Sequence, residues 1–131
     1  MAKKDNKDAN YNVVIAEVSK DLTAKERIAL KDVSNATKLD TACDAGTLRI
    51  APKAYAVLDV HNEKSDNVDY KNYIIMDEEN NKYVTGSESF WNAFKSIWDE
   101  MKGEDEEWAI DVYKLDSKNY TGKKFLTCSI V

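Results

Sequence analysis

The chain has 131 residues, of which 43% are apolar and 33% are charged, with one proline and four glycines. This length and composition are typical of one globular domain, and they exclude both a two-domain enzyme and a disordered tail. The 19 basic and 24 acidic residues give a net charge of −5, which taken as a whole argues against a nucleic-acid partner.

The first 12 residues are mostly Lys, Asp and Asn, with almost nothing that could be buried. We therefore expect residues 1–12 to be a disordered lead-in, with a basic arm that touches phosphates as the alternative. A single domain then covers residues 13–131. No apolar stretch approaches the roughly 18 residues needed to cross a bilayer, so we expect a soluble protein with no membrane contact.

Three segments of different character follow. The β-branched residues of 12–18 predict a strand. Over 23–33, Thr23 and Glu26 have the spacing of a capping box, which indicates a helix, but the apolar residues also alternate as in a strand, so both remain open. The small and polar residues of 34–46 predict a connecting loop.

Alternation is clearer in the middle of the chain. The pattern over 54–61 predicts a half-buried strand. A polar turn at 62–69 leads to a returning strand at 70–77, and 82–86 predicts a short third strand or an extension of a strand. The inward residues of the first of these strands are predicted to be Ala56, Leu58 and Val60.

The spacing of apolar residues changes over 87–101 to steps of three and four, which predicts an amphipathic helix. Thr85 or Ser87 can cap its start, and Gly103 can end it. We interpret its aromatic stripe as core rather than as a platform for bases, because an amphipathic helix must bury that face. The stripe consists of Phe90, Trp91, Phe94, Ile97, Trp98 and Met101.

The negative charge is concentrated directly after this helix. The segment 99–107 holds six acidic residues and Lys102, so nine residues carry −5 and the other 122 residues sum to zero. The charge of the whole chain is therefore no objection to nucleic-acid binding elsewhere on the domain.

The chain ends in a predicted hairpin. Alternating residues at 107–115 and 124–131 indicate two strands, joined by a turn at 116–123 that contains Gly122. The complete element order predicts a mainly β fold: an OB-fold-like five-stranded Greek-key barrel with one α-helix between the third and fourth strands.

No catalytic constellation is present in the sequence. His61 is the one histidine, and no nucleophile, metalloprotease or phosphate-loop motif occurs. Cys43 and Cys128 fit no metal-ligand spacing, and they suit buried thiols in a reducing cytosol rather than a disulfide. We therefore expect no enzymatic activity, no metal and no cofactor.

Tyrosines and lysines occur together on the predicted strands. Residues 114–124 hold four lysines and Asp116, a net charge of +3. Rings on which bases stack, beside cations that meet phosphates, are what single-stranded nucleic acid requires of a surface. The alternative is that the rings cap the core and the lysines keep the surface soluble.

Six segments then carry a family resemblance: DAGTLRIAPKAYAV, NEKSD, YIIM, ENNKYVTGSESF, WAIDVYKL and SKNYTGKKFLTCSIV. Over residues 46–131, about two-thirds of the chain, the sequence resembles the small single-stranded DNA-binding proteins of protein-primed tailed phages, in length, element order and hairpin chemistry. The resemblance implies a non-enzymatic protein that coats the displaced strand during phage genome replication, in the cytoplasm of the bacterial host. The first 45 residues match that family poorly.

Twelve residues are the predicted site for single-stranded DNA. The stacking role, carried over by position from the resemblance, falls on Tyr55, Tyr73, Tyr83, Tyr113, Tyr120 and Phe125. The neighbouring cations predicted to meet phosphates are Lys71, Lys82, Lys114, Lys118, Lys123 and Lys124.

A second hypothesis makes the acidic segment 99–107 the functional surface. In that case the protein is an interaction module that mimics DNA and inhibits a host DNA-binding or defence enzyme. The same segment could instead dock a phage replication protein while the strand binds elsewhere. The oligomeric state stays open, and a monomer is slightly favoured.

Overall fold

The computed structural model describes residues 11–119 and 121–131. Most of the predicted lead-in at 1–12 lies outside the described residues, but Tyr11 and Asn12 already belong to the first strand. Within the described residues the fold is mainly β, with eight strands and three helices. The strands are β1 (Tyr11–Val18), β2 (Thr37–Lys38), β3 (Leu48–Ile50), β4 (Pro52–Asn62), β5 (Asp69–Asp77), β6 (Lys82–Thr85), β7 (Ile110–Asp116) and β8 (Lys124–Ile130). The helices are α1 (Ala24–Lys31), α2 (Leu39–Ala42) and α3 (Glu88–Met101).

The strands form two sheets, one of five strands in the order β1-β4-β5-β6-β2 and one of three in the order β3-β7-β8. The prediction of a single closed five-stranded barrel is therefore wrong, because the described strands close no barrel. The reason lies in the first 50 residues. They supply β1, which pairs along β4, and β3, which pairs with β7, so the terminal hairpin β7–β8 joins β3 instead of the central hairpin β4–β5.

Over residues 54–58 and 73–75 the central hairpin β4–β5 is buried on both faces. The half-buried strand predicted at 54–61 is therefore only partly correct: Tyr55 and Val57, predicted to face outward, are buried, whereas Asp59 is exposed and His61 is partly exposed. One face packs with Leu30 of α1 and the other with the aromatic residues of α3. The α1 face comprises Ala56, Leu58, Val60 and Ile74, in one cluster with Val84 of β6, and the α3 face comprises Tyr55, Val57, Tyr73 and Ile75.

The long helix and its aromatic core are confirmed. Helix α3 begins after Ser87, whose Oγ accepts a hydrogen bond from the backbone N–H of Phe90 at 3.2 Å, and the chain reverses after the helix at Gly103, where φ is +87°. Phe90 and Phe94 are fully buried, and Trp91 stacks both on Phe94 and on Tyr73 of the central sheet. The helix also packs on β8, where Ser89 Oγ donates to the carbonyl oxygen of Leu126 at 2.8 Å.

The ambiguous segment at 23–33 is a helix. Glu26 N–H donates to Thr23 Oγ1 at 3.2 Å, and Thr23 N–H donates to Glu26 Oε1 at 2.9 Å, so the capping box is formed. These two bonds satisfy amide groups that a strand would have paired across a ladder. Local capping chemistry therefore decides between the two alternatives that the apolar spacing leaves open.

Candidate functional site

Two tyrosines of the central hairpin, Tyr55 and Tyr73, belong to the core. Tyr55 is 6% exposed and its ring meets Trp91 and Trp98 edge-on, at centroid distances of 5.1 and 5.2 Å. Tyr73 is 5% exposed and stacks on Trp91 at 4.7 Å with an angle of 11° between the rings. Neither ring has a free face on which a base could stack. The structure therefore places Tyr55 and Tyr73 in the core and not on the predicted binding surface.

The Tyr55 hydroxyl group is also occupied. It donates to Glu17 Oε2 at 2.6 Å and accepts from Lys95 Nζ at 2.8 Å, and the Lys95 ammonium lies 4.7 Å from the centre of the ring. Burial raises the pKa of Tyr55, and the hydrogen bond to Glu17 adds to that shift. Burial would lower the pKa of Lys95, but its bonds to Tyr55 and Glu17 outweigh burial and hold it above the usual range. The network ties β1, β4 and α3 together as a structural unit.

Tyr83 has a structural partner as well. Its hydroxyl donates to Asp77 Oδ2 at 3.1 Å, and the same carboxylate accepts from the N–H groups of Glu79 and Asn81 at 2.9 Å. Burial would raise the pKa of Asp77, but these hydrogen bonds outweigh it and lower the pKa. Tyr83 thus stabilises the β5–β6 turn, and its ring is half-buried beside the core.

Three of the six predicted lysines already have partners in the fold. Lys71 Nζ contacts Asp59 Oδ1 at 2.5 Å, and Lys114 Nζ contacts Asp44 Oδ1 at 2.6 Å. Lys82 Nζ donates to the carbonyl oxygens of Ala29 and Asp32, both at 2.7 Å. Lys82 therefore satisfies carbonyl groups at the end of α1, where a cation is favoured by the helix dipole.

The remaining predicted cations meet at the tip of the terminal hairpin. Lys118, Lys123 and Lys124 line a groove of about 690 Å³ together with Phe125. Among the described residues, none of these three lysines forms an ion pair. Three lysines less Asp116 give the groove a net charge of +2. The groove is completed by Leu115, Asp116, Ser117 and Asn119.

The strand register explains why these side chains converge. Leu115 faces Phe125 across the β7–β8 ladder, so the two side chains lie on one face, and they are 46% and 36% exposed. Beyond the ladder, Ser117 N–H donates to the Lys123 carbonyl at 2.8 Å, and Gly122 takes a φ of +78° that favours glycine. The turn therefore projects its lysines around an exposed apolar pair.

Tyr113 and Lys114 line a second, smaller pocket beside this groove. It measures about 280 Å³, and Lys124 lines both concavities. The Tyr113 hydroxyl group shares a hydrogen bond with Ser129 Oγ. The predicted stacking residue Tyr120 lies outside the described residues. Of the twelve predicted site residues, six are thus brought to the terminal hairpin: Tyr113, Lys114, Lys118, Lys123, Lys124 and Phe125.

Leu115 is a groove residue that the sequence analysis missed. The signal was present, because the inward residues Ile110 and Val112 place position 115, like Tyr113, on the opposite side of the strand. Leu115 is neither aromatic nor charged, so a pattern of rings and cations does not include it. Its exposure next to Phe125 makes it part of the same apolar surface.

The acidic segment lies at the far end of β7 from the groove. Glu104, Asp105, Glu106 and Glu107 are exposed and precede the strand, whereas the groove follows it. A strand of seven residues separates its two ends by about 20 Å. The negative and positive charges of the chain's last third are therefore spatially separated.

Among the described residues, the other reactive side chains form no further centre. His61 donates or accepts at both ring nitrogens, with Asp69 at 2.7 Å and Glu63 at 3.2 Å, and Cys43 and Cys128 are free and buried. In the part of the chain that the structure describes, no three Cys, His, Asp or Glu side chains are arranged to hold a metal ion. Over residues 11–119 and 121–131, no helix has the length and apolar character needed to span a membrane.

Comparison with known proteins assigns this geometry to no family. The function must therefore be argued from the hairpin groove and the side chains that line it. No family model matches the chain, and neither a curated protein nor a solved structure matches it.

Proposed function

We propose that this chain is a sequence-independent single-stranded DNA-binding protein, and that the groove at the tip of the terminal hairpin holds the strand. One observation carries the proposal: Lys118, Lys123 and Lys124, which have no acidic partner among the described residues, surround the partly exposed ring of Phe125. A positive groove with an aromatic platform is the combination that single strands bind.

The division of labour in the groove follows from the chemistry of its side chains. A base stacks on Phe125 and extends its contact over Leu115, which gains roughly 1–3 kcal/mol per base and works for any base. The lysine ammonium groups meet the phosphates as mobile point charges, which carry no base information. Binding that depends on stacking and phosphate contacts is therefore independent of sequence.

The resemblance of residues 46–131 to the single-stranded DNA-binding proteins of protein-primed tailed phages supports the same proposal. In that role the protein coats the displaced strand during genome replication in the bacterial host cytoplasm and catalyses no reaction. The likeness to an oligonucleotide-binding fold is limited here to the presentation of the strand on an antiparallel hairpin, because the described sheets close no barrel.

The test is fluorescence anisotropy of a labelled oligo-dT of about 12 nucleotides, a length within the usual site sizes, titrated with protein at several salt concentrations. If three lysines neutralise phosphates, the slope of log K against log[salt] should be about −2, since each contributes about −0.7. An absence of binding at micromolar protein in low salt would refute the proposal.

The matched variants are Phe125→Ala and Ile130→Ala. Both side chains are exposed on β8, but only Phe125 lines the groove. Phe125→Ala should weaken binding about five- to 150-fold, which corresponds to the loss of one stacked base. Ile130→Ala should leave the affinity unchanged; equal losses in the two variants would contradict a specific role for the Phe125 ring.

A further inference from the structure

The groove at the hairpin tip and the second pocket share one lining residue. Lys124 lines both concavities, so a bound strand that leaves the groove past Lys124 meets the wall formed by Tyr113, Lys114 and the loop 43–47. At Gly46, φ is +142° and, apart from the two adjacent residues, no atom of another residue lies within 4 Å of the position that a Cβ would take. The loop therefore leaves open space in front of its backbone, large enough with the rest of the pocket for a sugar-phosphate unit.

A cation is held inside this second pocket by an acidic side chain. The Lys114 side chain is only 21% exposed, and its ammonium group lies 2.6 Å from Asp44 Oδ1, whereas the Asp44 side chain is 68% exposed. The Lys114 side chain is thus largely enclosed by its surroundings, whereas the carboxylate of Asp44 is exposed to solvent. An ion pair with one exposed partner is weakly held, and a phosphate that enters the pocket can replace the carboxylate at little cost.

We propose that the bound strand runs from the hairpin groove past Lys124 into this pocket, and that the Asp44–Lys114 ion pair is a latch that a backbone phosphate opens. The proposal rests on the proposed function and adds a fourth phosphate contact and an internal competitor to it. Without a strand, Asp44 neutralises Lys114. With a strand, the phosphate takes the ammonium group and Asp44 is released to solvent.

The latch has a measurable consequence for binding. The strand must compete with Asp44 for Lys114, so removing the carboxylate should strengthen binding. Asp44→Asn should raise the affinity for oligo-dT about two- to fivefold at low salt, which matches the usual strength of an exposed ion pair. This gain in affinity should depend on Lys114 and on no other lysine.

The control is Asp59→Asn. Asp59 is also exposed and paired with a lysine, Lys71, but this pair lies on the five-stranded sheet, away from both pockets. Its removal changes the net charge by the same amount as Asp44→Asn. A gain in affinity that is equal in the two variants would show a general charge effect and would overturn the latch.

A double-mutant cycle separates the latch from local repulsion between Asp44 and the strand. In a Lys114→Met background, Asp44→Asn should no longer strengthen binding, because the cation that it frees is absent. If the gain persists without Lys114, Asp44 acts by repulsion alone and the proposal is wrong. Circular dichroism of each variant confirms that the fold is intact.

The outcome also distinguishes this inference from the proposed function. If the unmodified protein fails to bind oligo-dT, the proposed function fails. If the protein binds and Phe125→Ala weakens binding, but Asp44→Asn matches Asp59→Asn, then the strand occupies the hairpin groove alone and only the latch is refuted.

Discussion

The central hairpin β4–β5 and the terminal hairpin β7–β8 carry the same kinds of residue and use them differently. Both alternate aromatic and aliphatic residues, and both carry lysines near their strands. In the central hairpin, Tyr55 and Tyr73 are buried under α3, and Lys71 is paired with Asp59. In the terminal hairpin, Phe125 stays partly exposed, and the lysines at the tip have no acidic partner among the described residues.

The difference comes from the number of layers that cover each sheet. The central hairpin lies between α1 and α3, so both of its faces are core. The terminal hairpin packs only one face, with Val112 and Leu126 buried and Leu115 and Phe125 facing outward. An aromatic ring is available to a ligand when its sheet has an uncovered face, whatever its position in the alternation.

The largest expected effect concerns the central hairpin, whose faces are covered by α1 and α3. Tyr73→Ala removes a buried ring stacked on Trp91 and should lower the free energy of unfolding by about 3–5 kcal/mol, as measured by urea denaturation. Tyr73→Phe keeps the ring and should cost less than about 1 kcal/mol. A stable Tyr73→Ala protein that has lost its affinity for oligo-dT would show that Tyr73 belongs to the binding surface after all.

A smaller effect separates two lysines of the predicted site. Lys82→Met removes hydrogen bonds to two carbonyl groups at the end of α1 and should lower stability by roughly 1–2 kcal/mol, with no change in the salt dependence of binding. Lys124→Met should do the opposite: stability is kept, and the slope of log K against log[salt] becomes shallower by about 0.7. Identical behaviour of the two variants would remove the distinction between fold lysines and groove lysines.

Neutralising the acidic segment should have a smaller effect still. Replacement of Glu104, Asp105, Glu106 and Glu107 by their amides should leave the affinity for oligo-dT equal or slightly higher, because about 20 Å is more than two screening lengths at physiological salt. The DNA-mimic hypothesis expects the same variant to lose a protein partner. Weaker oligo-dT binding by this variant would contradict this expectation, because it would mean that the acidic segment itself supports binding of the strand.

The smallest expected effect is a change of folding stability with pH, which arises from His61 at the end of the central hairpin. The hydrogen bond to Asp69, followed by that to Glu63, raises the pKa of His61 above its usual 6.5. Because the folded-state pKa is the higher one, the resulting stability is fully present below pH 6.5 and is lost as pH rises through the folded value. Unfolding measured across this range should show a slight loss that His61→Asn abolishes; a gain in stability with rising pH would contradict the assignment.

Local patterns were sufficient for the elements that depend on neighbours in the sequence. The aromatic spacing predicted α3, and alternation predicted β7 and β8 with the turn between them. The capping box formed by Thr23 and Glu26 is likewise present. These features are set by contacts three or four residues apart or by side-chain alternation, and both can be read from the sequence.

Long-range pairing could not be predicted in the same way. The alternation of β4 gives no sign that β1 covers its edge or that α1 and α3 cover its two faces. For this reason the sequence pattern predicts a barrel that the structure does not have, and it predicts a surface position for the buried Tyr55. Similarly, nothing near Lys82 in the sequence points to the carbonyl oxygen of Ala29, 53 positions away.

The most direct measurement of the central claim is an amide chemical-shift titration of the protein with oligo-dT. A strand held in the hairpin groove should shift the amides of 115–119 and 121–125 as the oligonucleotide is added and should leave those of β4 and β5 in place. Shifts confined to β4–β5 or to the acidic segment 99–107, with the hairpin tip unchanged, would contradict it.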